Sequence, residues 1–183
     1  MNKRCVILSV ILAGVILLLP ACKEKETPLS EKKIFATMKV IQKGEMVFEL
    51  TPGKSPKAVE QFITLANEGY YNNLLFFHVS KEGIVQSGCA FNDGSGYADK
   101  AVKTNIDTAY RTARGDLVMN AHFQNDPTAV SSQFILFKQP AAELDAKHPL
   151  IGKLIEGAEV MDSIHIGDTL LSVEIQEVEK TSE

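Results

Sequence analysis

The sequence predicts a mainly β domain whose short strands close into an antiparallel barrel, and three observations carry that expectation. Apolar and polar residues alternate along several short segments, only two segments keep helical spacing, and clusters of Gly, Asp, Asn and Ser separate the remainder. Closure follows because a sheet of many short strands escapes edge-to-edge pairing when its ends meet. The 183 residues, 45% of them hydrophobic and 23% charged, can bury one core and fit one domain.

The chain opens on a targeting segment. Lys3 and Arg4 precede an apolar run from Val6 to Leu19, shorter than the about 20 residues a spanning helix needs, so residues 1–21 read as a secretory signal peptide. Leu19-Pro20-Ala21-Cys22 resembles the lipobox of bacterial lipoproteins, which implies that Cys22 is lipidated and becomes the new N-terminus. More than one acyl chain would anchor the protein stably without spanning the membrane. Residues 22–33, nearly all charged or polar around one Pro, cannot bury surface and are expected to form a flexible tether. Lys23 rather than Asp follows the cysteine, so the lipoprotein resemblance points to the cell envelope, at the outer membrane facing the periplasm or the cell surface.

A domain follows over 34–180, with 181–183 as a tail. Phe35, Met38 and Val40, then Met46, Phe48 and Leu50, flank Lys43-Gly44, a hairpin signal in which Gly supplies a positive φ. Ser55-Pro56 starts a helix, with a hydroxyl N-cap and proline at the first helical position. Ala58, Val59, Phe62, Ile63, Leu65 and Ala66 then keep helical spacing to Gly69. Short apolar runs at Leu74–Val79, Ile84–Val85, Leu117–Met119 and Phe134–Phe137 read as strands. A second helix fits Ala158–Ile164, and Leu171, Val173, Ile175 and Val178 form a closing strand.

Lys plus Arg is 19 against 23 Asp plus Glu, and no basic cluster stands out, so a nucleic-acid partner has no electrostatic footprint. Cys5, Cys22 and Cys89 are too few and too scattered for a zinc site or a disulfide framework, and no metal or cofactor is implied. Cys89 reads as a small buried hydrophobe rather than a nucleophile.

Motifs carry the reading further. Ser55-Pro56-Lys57-Ala58-Val59-Glu60-Gln61-Phe62, with Leu65-Ala66 and Gly69-Tyr70-Tyr71, resembles the first helix of cyclophilins. Five more matches follow in the family's order: Phe77-His78-Val79, Val85-Gln86-Ser87-Gly88, Arg114 to Met119, Ser132 to Ile135, and Leu144 to His148 with Ile151 to Gly157. The resemblance covers about residues 35 to 179 and implies a closed eight-stranded antiparallel barrel with a helix closing each end. It also implies cis/trans isomerisation of peptide bonds preceding proline, with proline-containing polypeptides as partners of a monomer.

Carried onto this chain, the resemblance places Ile84, Ile135 and Leu144 around the proline ring, with Asn120 and His148 also in the groove. The family usually has Met and Phe where Ile84 and Ile135 stand. Gln86 matches the glutamine that bonds the substrate backbone. The polar half departs from the family, whose arginine donates to the prolyl amide. Ungapped spacing back from Gln86 puts His78 in its place, while aligning the histidines puts Val79 there, and the arginine is absent either way. An imidazole replaces a permanently charged planar fork with a smaller donor set. Gly83 stands where the family has a pocket Phe, and Asn120-Ala121 where it has Ala-Asn. Arg111, Arg114 and Lys81 are weak substitutes, and His122 and His165 read as surface or supporting histidines.

Two function classes follow: a prolyl isomerase for exported proteins with His78 and Gln86 as donors and reduced turnover, and a peptide-holding chaperone or scaffold on the same fold.

Overall fold

Ile34, Ala36, Met38 and Val40 alternate with partly exposed neighbours, and this period of two forms β1 (Lys32–Val40) with one face in the core. A turn with Gln42 at φ 60° and Gly44 at φ 120° folds it onto β2 (Gly44–Leu50), which buries Met46, Phe48 and Leu50 beside it. The structure, a computed structural model, describes residues 32–121 and 123–179. The expected signal peptide, Cys22, the tail 181–183 and His122 lie outside the described residues, as does the expected tether up to residue 31. Its last two residues, Lys32 and Lys33, are instead the start of β1.

Helix α1 (Pro56–Asn67) buries Ala58, Val59, Phe62, Ile63, Leu65 and Ala66 along one side. The expected hydroxyl cap does not form. Ser55, at φ −144° and ψ 67°, directs its Oγ at 3.5 Å to the Asn105 carbonyl, so proline at the helix start sets the entry without it. Gly69, at φ 71°, ends the helix, and the Tyr70 N–H returns to the Leu65 carbonyl at 2.9 Å.

The remaining elements are β3 (Leu74–Leu75), β4 (His78–Val79), β5 (Ile84–Ser87), β6 (Val102–Lys103), β7 (Asp116–Ala121), β8 (Ala129–Phe137), β9 (Leu150–Glu156), α2 (Ala158–Ser163) and β10 (Thr169–Glu179). Single 3-10 turns lie at Phe123–Asn125 and Ala142–Leu144. The segment from Leu150, taken in sequence only as a family motif, is therefore a strand.

The expected closed eight-stranded barrel is corrected. All ten described strands share one antiparallel sheet in the order β3-β10-β1-β2-β9-β7-β8-β5-β4, with β6 on β8. No ladder joins β3 to β4 among the described residues, so the sheet is a curled half-barrel with a seam. The reason is local. β3 and β4 are two residues each, and between them Phe76 uses its N–H on the Asp168 carbonyl and its C=O on the Gly167 N–H. Both helices bury residues in the main core, α2 through Val160 and Met161.

Successive residues of a strand face opposite sides of the sheet, and β5, β7 and β8 use both. Val85, Leu117, Met119, Phe134 and Leu136 point into the main core with α1. Val118, Ile135 and Phe137 point the other way, into a second apolar cluster completed by Tyr110 and Ala141, with Ile84, Leu144 and Leu150 packed against it. Every residue of β8 is buried as a result.

Candidate active site

Ladder register assembles the site on the outer face. His78 of β4 stands opposite Gln86 of β5, which stands opposite Ile135 of β8, then Val118 of β7, then Leu150 of β9. Directly opposed residues share a face, so these five form one transverse row that runs from an exposed imidazole, through a half-buried amide, into apolar side chains. The register also puts His78, not Val79, beside Gln86; Val79 opposes Val85.

Ile84 lies two residues along β5 from Gln86, opposite Phe137, and belongs with Ile135 and Leu144 to the second apolar cluster. The three expected ring-gripping residues are thus brought together. Gly83 supplies no side chain to them. At φ 79° it closes the tight turn from Ser80, and a Cβ there would meet Gln139 Cγ at 2.8 Å. At the tip of that hairpin the Glu82 carboxyl is held below its ordinary value by its own backbone N–H, by the Ser80 hydroxyl and, to a smaller extent, by His78.

Asn120 sits at an irregularity where the β7–β8 register shifts between Met119 and Ala121. Its Nδ2 donates to Gln133 Oε1 at 3.2 Å, and Gln133 Nε2 donates to the carbonyls of Gly94 and Gly96 at 2.8 and 3.0 Å. The sequence reading missed Gln133. Its signal was available, because Gln133 precedes Ile135 by two and must share its face. Cys89 is fully buried as expected, but it is also a hub: its sulfur accepts the N–H groups of Gly94 and Gly96 at 3.1 and 3.2 Å. The glycine segment beside the groove is therefore pinned from two sides.

His148 is buried, and its Nδ1 accepts the Ala121 N–H at 3.1 Å, which places the ring proton on Nε2. The chain before it is tied down as well. Asp145 Oδ1 accepts the Thr112 N–H at 2.8 Å and hydroxyl at 3.0 Å, and these contacts, the N–H foremost, hold its carboxyl below the ordinary range. Tyr110 belongs to the second cluster. Its hydroxyl donates to Asp116 Oδ2 at 2.7 Å, and burial, with that carboxylate beside it, pushes its ionisation far upward.

The two arginines among the described residues are committed elsewhere. Arg114 makes a two-pronged pair with Asp162 at 2.9 and 2.8 Å and donates to the Lys138 carbonyl. Arg111 donates to the carbonyls of Thr108 and Tyr110 and lies 3.5 Å from Asp145. Lys81 and His165 are exposed, and the His165 N–H donates to Asp168 Oδ2. No cluster of three or more metal-ligating side chains occurs among the described residues, and no described helix is long and apolar enough to cross a membrane.

A curled antiparallel sheet thus carries a polar pair beside an apolar cluster on its outer face. Comparison with known proteins supplies the class. Residues 35–180 match the family described as cyclophilin type peptidyl-prolyl cis-trans isomerase/CLD. A peptidyl-prolyl cis-trans isomerase of Helicobacter pylori is 36% identical over 152 residues, covering 81% of this chain and 90% of its own length. Peptidyl-prolyl cis-trans isomerase B of Bacillus subtilis is 30% identical over 133 residues, 73% of this chain and 92% of its own. The chain spans only 22% of a longer Rhizopus delemar relative, peptidyl-prolyl cis-trans isomerase cyp15, at 36% identity over 136 residues. The crystal structure of a Cryptosporidium parvum cyclophilin type isomerase superposes with a TM-score of 0.70 at 24% identity, over 79% of this chain and 98% of that one, and shares the fold. The same protein was also solved in the presence of the dipeptide Ala-Pro. The chain belongs to the cyclophilin type peptidyl-prolyl cis-trans isomerase family.

Proposed function

We propose that this chain isomerises prolyl bonds in exported polypeptides from a lipid anchor at Cys22, as a monomer in the cell envelope, with turnover lowered by the missing arginine. The row His78–Gln86–Ile135 carries the reading, because an imidazole, an amide and an apolar side chain stand in line on one face, where they would serve as donor, backbone-binding group and ring contact. The uncatalysed rotation faces a barrier of about 18–20 kcal/mol and takes tens of seconds or longer. No bond is made or broken. A site that binds the twisted amide better than either planar form accelerates the exchange. Ile84, Ile135 and Leu144 hold the ring, Gln86 bonds the neighbouring backbone, and an imidazole N–H of His78 donates to the prolyl nitrogen as its lone pair leaves amide resonance.

The test is a prolyl isomerisation assay on the chain from residue 23 onward, with His78→Arg, His78→Ala and Gln86→Ala beside the parent and peptide affinity measured in the same samples. Returning a guanidinium to position 78 raises kcat by about tenfold or more, given what single oxyanion-type donors contribute. His78→Ala and Gln86→Ala lower it by a similar factor. Binding without acceleration in the parent overturns the enzyme reading and leaves the peptide-holding module, which the missing arginine favours. For the anchor, radiolabelled palmitate is incorporated by the full chain in a bacterial host and not by Cys22→Ser. A labelled Cys22→Ser protein overturns that part.

A further inference from the structure

The second apolar cluster has a back side. Tyr110 and Leu150 belong to it, and both also line a cavity of about 310 Å³ whose other walls include Ala109, Asp116, Lys54 and Lys153. Tyr110 is the partition, because it is nearly buried, its ring faces the cluster that holds Ile84, Ile135 and Leu144, and its hydroxyl is moored on the other side. The mooring is firm. Asp116 is 1% exposed, its Oδ2 accepts both the Tyr110 hydroxyl at 2.7 Å and the Ala113 N–H at 2.9 Å, and its Oδ1 lies 3.2 Å from Lys153 Nζ on β9. The Tyr110 carbonyl in turn accepts the Ala146 N–H at 3.2 Å, between Leu144 and His148.

We propose that Tyr110, moored by Asp116, determines ring-size specificity by closing the proline pocket off from the cavity behind it. This rests on the isomerase reading of that pocket and says which substrates it admits: a five-membered ring fills the pocket in front of Tyr110, and a six-membered ring needs the space behind it. Without the hydroxyl the ring is free to move toward the cavity, and without the ring the two spaces join.

Peptides of the same sequence carrying either proline or its six-membered homologue, pipecolic acid, measure this directly. The parent, Tyr110→Phe and Tyr110→Ala are compared by kcat/KM for isomerisation and by peptide affinity, with folding checked by near-UV circular dichroism. The parent discriminates against pipecolyl by about tenfold or more, the value of one methylene in a closed apolar pocket. Tyr110→Ala narrows the ratio to about threefold or less, and Tyr110→Phe falls between them, because part of that methylene discrimination is lost. A role confined to stability lowers the melting temperature and leaves the ratio alone. If Tyr110→Ala does not fold, Tyr110→Phe decides. An unchanged ratio in the folded variants overturns the inference. If the parent binds peptide without turning it over, the isomerase reading fails, and the ratio of the two affinities still decides the role of Tyr110.

Discussion

The two ends of the transverse row stand on different foundations. Ile135 and Val118 lie on β8 and β7, strands paired on both sides, with the main core behind them and the second cluster in front, and neither is more than 1% exposed. His78 lies on a two-residue strand at the end of the hydrogen-bonded path and is exposed. In the proposed mechanism the grip on the substrate ring is thus part of the folded core, whereas the donor is an appendage. An exposed residue on a terminal two-residue strand can change without disturbing the core, whereas position 135 is bound by packing on both faces of the sheet.

Breaking the buried end has the largest effect. Ile135→Ala removes a buried side chain shared by the sheet and the pocket, and costs about 2–5 kcal/mol of stability, read as a lower urea midpoint, together with most of the peptide affinity. At the exposed end, His78→Ala leaves the midpoint within about 0.5 kcal/mol of the parent, as surface changes do, while kcat falls. Equal losses of stability at the two positions would end the contrast.

Gly83 lies off the row, in the turn joining β4 to β5. Returning the family's Phe at this position does not rebuild the pocket. The backbone there is at φ 79°, and the first added carbon already lies 2.8 Å from Gln139 Cγ. Gly83→Phe therefore costs about 1–3 kcal/mol through a strained residue and shifts the hairpin that carries Gln86. A melting curve and a KM measurement check it, the expected result being a lower midpoint and a higher KM. A variant as stable as the parent would mean that the turn re-forms with the ring accommodated.

What the sequence reveals follows the same division. The β1–β2 hairpin and α1 are legible because each buries one face and so repeats with period two or 3.6; the closing strand lies where expected, but its apolar face does not, since Leu171 and Val178 are exposed and Leu170 is buried. β9 is not legible, because its middle residues are shared between exposed and buried surroundings without alternation, and β6 is too short to show a period. The seam is illegible for another reason: whether a curled sheet closes by hydrogen bonds depends on what Phe76, between β3 and β4, bonds to, here Asp168 and Gly167, far along the chain. At the site, the family motifs name Gln86 and His148 by residue type and Ile135 by its place in the motif. Gln133 is marked only by its spacing from Ile135, and Tyr110 carries no mark at all, since its role comes from what it touches across the sheet. Ser55 shows the converse, an apt cap residue whose backbone angles send its hydroxyl to another partner.

The smallest expected effect concerns how the Leu144–His148 segment is held against the pocket. Asp145 is the clasp, and its carboxyl titrates below its ordinary value of 3.8, first through the Thr112 backbone N–H and then, against a smaller opposing effect of partial burial, through the Thr112 hydroxyl and Arg111. A carboxyl whose folded-state value is depressed stabilises the fold fully above its unfolded value and loses that contribution as pH falls through the folded one. The Asp145 contribution to peptide affinity is therefore constant above about pH 5, a unit clear of the ordinary carboxylate range, and is lost as the carboxyl is protonated in stronger acid. Thr112→Val removes the hydroxyl and keeps the N–H, so the Asp145 titration, followed by the NMR shift of its carboxyl carbon, moves partway up toward 3.8 and stays below it. The same substitution strips the Ala141 N–H of its acceptor at 2.8 Å, so the 3-10 turn that presents Leu144 loosens at the buried end of the row while His78 is untouched. A rise in KM with kcat unchanged is the expected kinetic result, because the ring is gripped less well in ground and transition states alike. A fall in kcat with KM constant would place this segment with the donor rather than with the grip.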